Sequence, residues 1–189
     1  RDNLQKVIQD GLKTQLLREE DILVITSKVV AVTQGRIVKI ADEEAFKTLV
    51  DTEAEQTLGG KEVILTVKDG IFIPWAGIDR SNIKKGYAVL WPKNPYNVAE
   101  NLQKALRKTY KLQKLGVLII DSWCAPLRKG VTAVALSYAG FKGINDVRGH
   151  KVHWFDFGEG EKPFAFFRGA HMTANRIAGT EPEFFNLRW

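Results

Sequence analysis

The stretch Glu62-Val63-Ile64-Leu65-Thr66-Val67-Lys68-Asp69-Gly70-Ile71-Phe72-Ile73-Pro74 decides the class of fold. Residues 62–67 and 71–74 are rich in β-branched and apolar side chains, and Lys68-Asp69-Gly70 between them is a turn, so the pattern predicts a β-hairpin. A regular doubly wound sheet would place a helix after every strand. The elements to either side confirm the mixture. Leu4, Val7, Ile8, Leu12, Leu16 and Leu17 recur at helical spacing behind an Asp2-Asn3 cap, predicting a helix over 3–17. Strands are expected over 22–26, 29–32 and 37–40, the last entered through Gln34-Gly35. A helix over 42–58 ends at Gly59-Gly60. Beyond the hairpin come a strand over 87–91, a helix over 95–110, a buried strand over 116–120, a strand over 131–138 and a helix over 169–178. The sum is an α+β architecture with mixed or antiparallel sheets and packed helices, on one domain spanning residues 1–189 or two closely packed lobes within it.

Composition bounds the function. The 189 residues are 44% hydrophobic and 26% charged, the balance of a globular protein. The net charge of +6 favours anionic partners such as phosphates or polycarboxylates. The basic residues are scattered and build no helix interleaved with aromatics, which leaves nucleic-acid binding with little support. Cys124 is the single cysteine, so no internal disulfide framework exists, and a reducing, cytoplasmic location is expected. The apolar runs are too short to span a bilayer, and no membrane partner is expected.

Four constellations can carry chemistry. In Ala76-Gly77-Ile78-Asp79-Arg80-Ser81-Asn82 a carboxylate and two small polar side chains follow an apolar strand. Asp79 offers hard oxygen to Mg2+ or Mn2+, and Ser81 and Asn82 offer bonds to a phosphate or ribose. The alternative is an Asx turn that satisfies local backbone. Leu118-Ile119-Ile120-Asp121-Ser122 sets a second acid and a hydroxyl at the exit of an apolar strand, so two strand ends can converge on one metal centre. Arg128-Lys129-Gly130 pairs cations with a glycine, suited to phosphates or carboxylates or simply to a solvated turn. Ser27-Lys28, between two strand-like runs, can set an ammonium on a nucleotide phosphate. A zinc site from Cys124, His150 and His153 is disfavoured, because no CxxC and no further ligand accompanies them.

Taken in order, Ile25-Thr26-Ser27-Lys28-Val29-Val30, Ala76-Gly77-Ile78-Asp79-Arg80-Ser81-Asn82 and residues 121–130 resemble the F-420 gamma-glutamyl ligase family. Ala139-Gly140-Phe141 and Asp146-Val147-Arg148-Gly149 extend the likeness, which covers residues 21–149. The resemblance implies joining of L-glutamate to an acceptor carboxylate, with GTP or ATP as co-substrate and Mg2+ or Mn2+ as cofactor, on an intertwined α+β homodimer. Position by position, it implies Asp79, Asp121 and Ser122 as metal ligands, and Ser27, Lys28 and Asn82 as nucleotide contacts. It implies Arg128 as a basic group near the acceptor or the phosphates.

The chain departs from the family pattern at four places. Val32-Thr33-Gln34-Gly35 stands where a second lysine and an acid are usual, Cys124-Ala125 replaces Gly-Arg, and Pro74-Trp75 replaces Ala-Asn. The C-terminal part offers Met172-Thr173-Ala174-Asn175-Arg176-Ile177-Ala178 in place of an acidic helix and glycine-rich loop, with Glu181 as a candidate late metal ligand. These departures motivate an alternative of a different class: a catalytically impaired member that binds a nucleotide or anion as a regulator.

Overall fold

The computed structural model describes residues 3–13, 16–124 and 129–143. Along them follow α1 (Leu4–Gly11), β1 (Asp21–Thr26), α2 (Ser27–Thr33), β2 (Ile37–Lys39), α3 (Glu43–Glu53), β3 (Gln56–Gly59), β4 (Leu65–Lys68), β5 (Ile71–Pro74), β6 (Tyr87–Val89), α4 (Pro95–Tyr110), β7 (Leu115–Trp123) and β8 (Thr132–Ala139). The architecture is α+β, as expected. β1 and β7 are parallel and β8 is antiparallel to β7, in the order β1-β7-β8. The predicted hairpin is β4 and β5, extended by β3 into an antiparallel sheet, and β2 and β6 form a separate antiparallel pair.

β7 is apolar from Leu115 to Ile120 because helices cover one face and side chains of β1 and β8 the flanks; residues 115–120 are all buried. α4 supplies the cover. Pro95 stands in its first turn and Arg107 and Lys108 in its last, a distribution matched to the unpaired groups at each helix end. Its Ala99, Leu102 and Leu106 enter the main core with Ile25, Val30, Leu115, Val117 and Ile119. Gln103, buried on the same face, donates to the Leu115 carbonyl at 3.0 Å, so its amide is not left unpaired.

Four expected elements differ. The strand expected over 62–67 begins only at Leu65, as β4. Residues 29–32 are not a strand. They belong to α2, which begins directly after β1, and they bury Ser27, Val30 and Ala31 at the i, i+3, i+4 spacing of one helical face. The β-branched run favours a strand only weakly, and burial of that face outweighs it. α3 stops at Glu53 rather than at residue 58, because Gln56–Gly59 leaves to pair with β4. α1 ends at Gly11, although Asn3 caps it as read, accepting from the Gln5 and Lys6 amides at 2.9 and 3.3 Å. The helix expected over 169–178 lies outside the described residues.

Candidate functional site

Thr26 stands opposite Ile120 in the parallel register, so Ser27 and Asp121 leave the same carboxyl end of the β1 and β7 pair. That edge is where α/β proteins place ligands, because loops and helix starts gather there. Ser27, 4% exposed, opens α2 with its side chain close enough to the Asp121 carboxylate to lower its pKa. The Trp91 indole N–H donates to Asp121 Oδ2, and the Ser122 amide to Oδ1 at 2.9 Å. β7 continues to Trp123, so Asp121 lies within the strand and not at its exit.

Asp79 reaches the same place by another route. After β5, Trp75, Ala76 and Gly77 take φ values of 51°, 54° and 70°, a left-handed run that a tryptophan adopts only under constraint. The buried Thr66 hydroxyl supports the turn by accepting from the Ala76 amide at 2.8 Å and donating to the Ile73 carbonyl at 2.5 Å. The chain then turns back, and Asp79 pairs with Val89 of β6 through backbone bonds of 2.9 and 2.8 Å. This bridge fixes Asp79 where a free loop would not.

The two Asp79 oxygens do different things. Oδ1 accepts from the Ser81 amide at 2.6 Å, which is the Asx turn weighed above, while Oδ2 forms an ion pair with Lys28 Nζ. The lysine also donates to the Ser81 carbonyl at 3.1 Å and hydroxyl at 3.4 Å. Consecutive residues of α2 therefore face the two acids: Ser27 lies near Asp121, and Lys28 pairs with Asp79.

The electrostatics separate the two carboxyls. Burial pushes Asp121 above the ordinary carboxyl value; bonds from Trp91, Ser27 and the Ser122 amide offset part of this, and the charge of Asp79 adds to it. Asp79 is also pushed upward by burial, but hydrogen bonds from Lys28 and Ser81 prevail and hold it below its usual value. The two carboxylates are near enough for the charge of Asp79 to act on Asp121. Two such acids, with one ammonium that pairs with Asp79, suit a hard divalent cation.

Among the described residues no three His, Cys, Asp or Glu side chains gather as a metal cage. The protein's oxygens here are the Asp79 and Asp121 carboxylates with nearby serine hydroxyls, which fits a Mg2+-like ion that takes one or two carboxylates and completes its shell with water and substrate phosphate. Ser122 and Asn82 are exposed and follow Asp121 and Asp79 closely in the chain, Asn82 with φ of 53°. Arg128, Asp146, Arg148, His150, His153 and Glu181 lie outside the described residues, and Cys124 is exposed.

Sequence reasoning missed Trp91, taken there only as a strand residue. A second polar cluster was missed too. Arg36 and Lys68 each meet Glu53 Oε2 at 2.8 Å, all three side chains being mostly buried, at the wall of a cleft of about 910 Å³ that Trp91 and Tyr96 also line. Burial opposes the Glu53 charge, but Lys68 and Arg36 overcome it and lower the pKa.

The fold and site together define an α+β protein in which Asp121 of β7 and Asp79, from the loop between β5 and β6, lie near the start of α2. Residues 1–178 match the family model described as F420-0:Gamma-glutamyl ligase, and the chain belongs to that family. It is 32% identical over 153 residues to the coenzyme F420:L-glutamate ligase of Methanocaldococcus jannaschii, covering 71% of this chain and 61% of that protein. The enzyme of the same name from Methanopyrus kandleri is 29% identical over 168 residues, 79% of this chain and 65% of that one. One from Methanococcus maripaludis is 30% identical over 153 residues, 71% and 61%. The matched region thus spans under two thirds of these relatives. Among the described residues no helix is long and apolar enough to cross a membrane.

Proposed function

We propose that the chain carries the glutamate-ligating site of its family: it joins L-glutamate to the carboxylate of a small F420-0-like or folate-like acceptor at the expense of GTP or ATP. The observation that carries this reading is the approach of Asp79 and Asp121, from distant segments, to the consecutive residues Lys28 and Ser27. The names of the relatives support the ligase class.

A carboxylate resists attack by an amine until one oxygen becomes a leaving group. An acceptor oxygen attacks the terminal phosphorus of the nucleotide, and the nucleoside diphosphate departs with the electrons of the broken P–O bond. The amine of glutamate then attacks the acyl carbon, phosphate leaves, and the amine proton passes to solvent, giving the amide. A divalent cation held by Asp79 and Asp121 with the Ser122 hydroxyl would neutralise phosphate charge as the phosphoryl group moves. Lys28 sets a fixed ammonium beside Asp79, where it can meet phosphate oxygens once they compete for it. Asn82 and Ser27 border the same acids and would orient the nucleotide, and Arg128 would add charge near the acceptor. The homodimer implied by the resemblance is part of the same reading.

The test is incubation of the chain with Mg2+ or Mn2+, GTP or ATP, glutamate and a panel of acceptors, read by mass spectrometry. A mass gain of one glutamate residue, lost in Asp121→Asn, is the expected result. Nucleotide binding without product across the panel would replace the ligase with the regulator.

A further inference from the structure

Trp91 follows β6 and is 3% exposed, yet its indole N–H is spent on a side chain of the site, Asp121 Oδ2. Buried indole N–H groups need a partner, and most find a backbone carbonyl or water. Trp123 does so, donating to the Phe72 carbonyl at 2.7 Å. Trp91 instead holds one oxygen of a carboxylate whose other oxygen is held by the Ser122 amide.

The backbone makes room for this indole. A Cβ on Gly77 would lie 2.2 Å from Trp91 Nε1 and 2.3 Å from Cε2, nearer than any side chain can stand. Gly77 also has φ of 70°, so neither its space nor its conformation suits another residue. The turn that delivers Asp79 to the site is thus the turn that admits Trp91 to Asp121. At its other side Trp91 is anchored by its own carbonyl, which accepts from Arg36 Nε at 3.0 Å.

We propose that Trp91 is a positioning residue: its indole N–H fixes the rotamer of Asp121 so that the carboxylate presents oxygen to the cation, with Gly77 as the space that permits it. The inference rests on the reading of Asp121 as a cation ligand. Partners that orient a metal ligand in this way typically contribute about ten- to a hundredfold to metal affinity.

The experiment is Mn2+ titration of the full chain followed by the electron paramagnetic resonance signal of the free ion, comparing wild type, Trp91→Phe and Trp123→Phe. Trp91→Phe keeps an aromatic ring and loses only the donor, so its Mn2+ dissociation constant should rise about ten- to a hundredfold. Trp123→Phe loses a bond of the same kind to a backbone carbonyl and should stay within about twofold of wild type, because its partner is not a candidate ligand. Equal affinity in wild type and Trp91→Phe, or equal weakening in both variants, overturns the assignment. A wild type that binds no Mn2+ sinks the cation site itself, and with it the proposed function. Should Trp91→Phe not fold, the indole 15N–1H resonances of wild type and Asp121→Asn decide: the Trp91 signal must move between them, and an unmoved signal overturns the proposal.

Discussion

The loop that carries Asp79 and the strand that carries Asp121 bring the same side chain to one site under opposite conditions. Asp79 sits at the rim, where Lys28 and Ser81 outweigh burial and hold its carboxyl below the ordinary range. Asp121 sits deeper, where burial outweighs the donors from Trp91, Ser27 and Ser122 and lifts it above that range. The difference teaches that strand interiors supply a rigid, poorly solvated acid and turns supply a solvated, ion-paired one. Two such acids hold less mutual repulsion than two deep ones would, while a cation between them still gains from both.

The largest effect should come from removing the deep acid. Asp121→Asn should cut turnover by about a thousandfold or more, and Asp79→Asn by about a hundredfold, as initial rates with Mn2+ would show. Equal losses would erase the contrast between rim and strand. Next in size, Glu53→Ala would leave Arg36 and Lys68 as mostly buried cations without their shared partner, and should cost about 3 kcal/mol in urea unfolding, the low end for breaking a buried pair. Because the folded-state pKa of Glu53 is lowered, its contribution is present above the ordinary carboxyl value and is lost as pH falls through the folded value.

The two aspartates should also differ in the sign of their pH dependence, measured by thermal unfolding in chelator. Asp121 is raised, so between its ordinary value of 3.8 and its folded value the native state keeps a proton that the unfolded chain has lost. Stability therefore falls as pH rises through that window, and Asp121→Asn should lack the fall and be at least as stable as wild type at neutral pH. Asp79 is lowered, so its contribution is full above 3.8 and is lost as pH drops through the folded value. The smallest effect belongs to Lys28→Gln. It should cost under about 1 kcal/mol, since the pair is part exposed, yet the Asp79 carboxyl should move back up toward its ordinary range in an NMR titration.

Much of the fold is legible in the residues. β1 and β7 are marked by apolar runs, the hairpin of β4 and β5 by its turn, and α4 by its helical period. α2 is not legible, because Val29, Val30 and Val32 read as a strand and only the burial of Ser27, Val30 and Ala31 on one face makes a helix of them. β3 was hidden in a helical pattern, since its pairing with β4 leaves no local mark. In the site, Asp79, Asp121, Ser27 and Lys28 are legible as residue types beside apolar strands. Trp91 is not, because an aromatic residue after a strand reads as core whether its N–H meets a carbonyl or a carboxylate. The glycine at position 77 was the one available signal, and it acquires meaning only once the indole lies against it.

By itself the sequence determined the α+β class, the strands that end near acids, and membership of a family whose motifs recur here in order, because period, turn residues and motif spacing are local properties of the chain. Only the tertiary structure decided that Lys28 pairs with Asp79 while Ser27 lies near Asp121, and that these two acids take opposite shifts. The register of β1 on β7 and the bridge from Asp79 to Val89 join segments far apart in the chain, and the solvation of a carboxyl depends on everything packed around it.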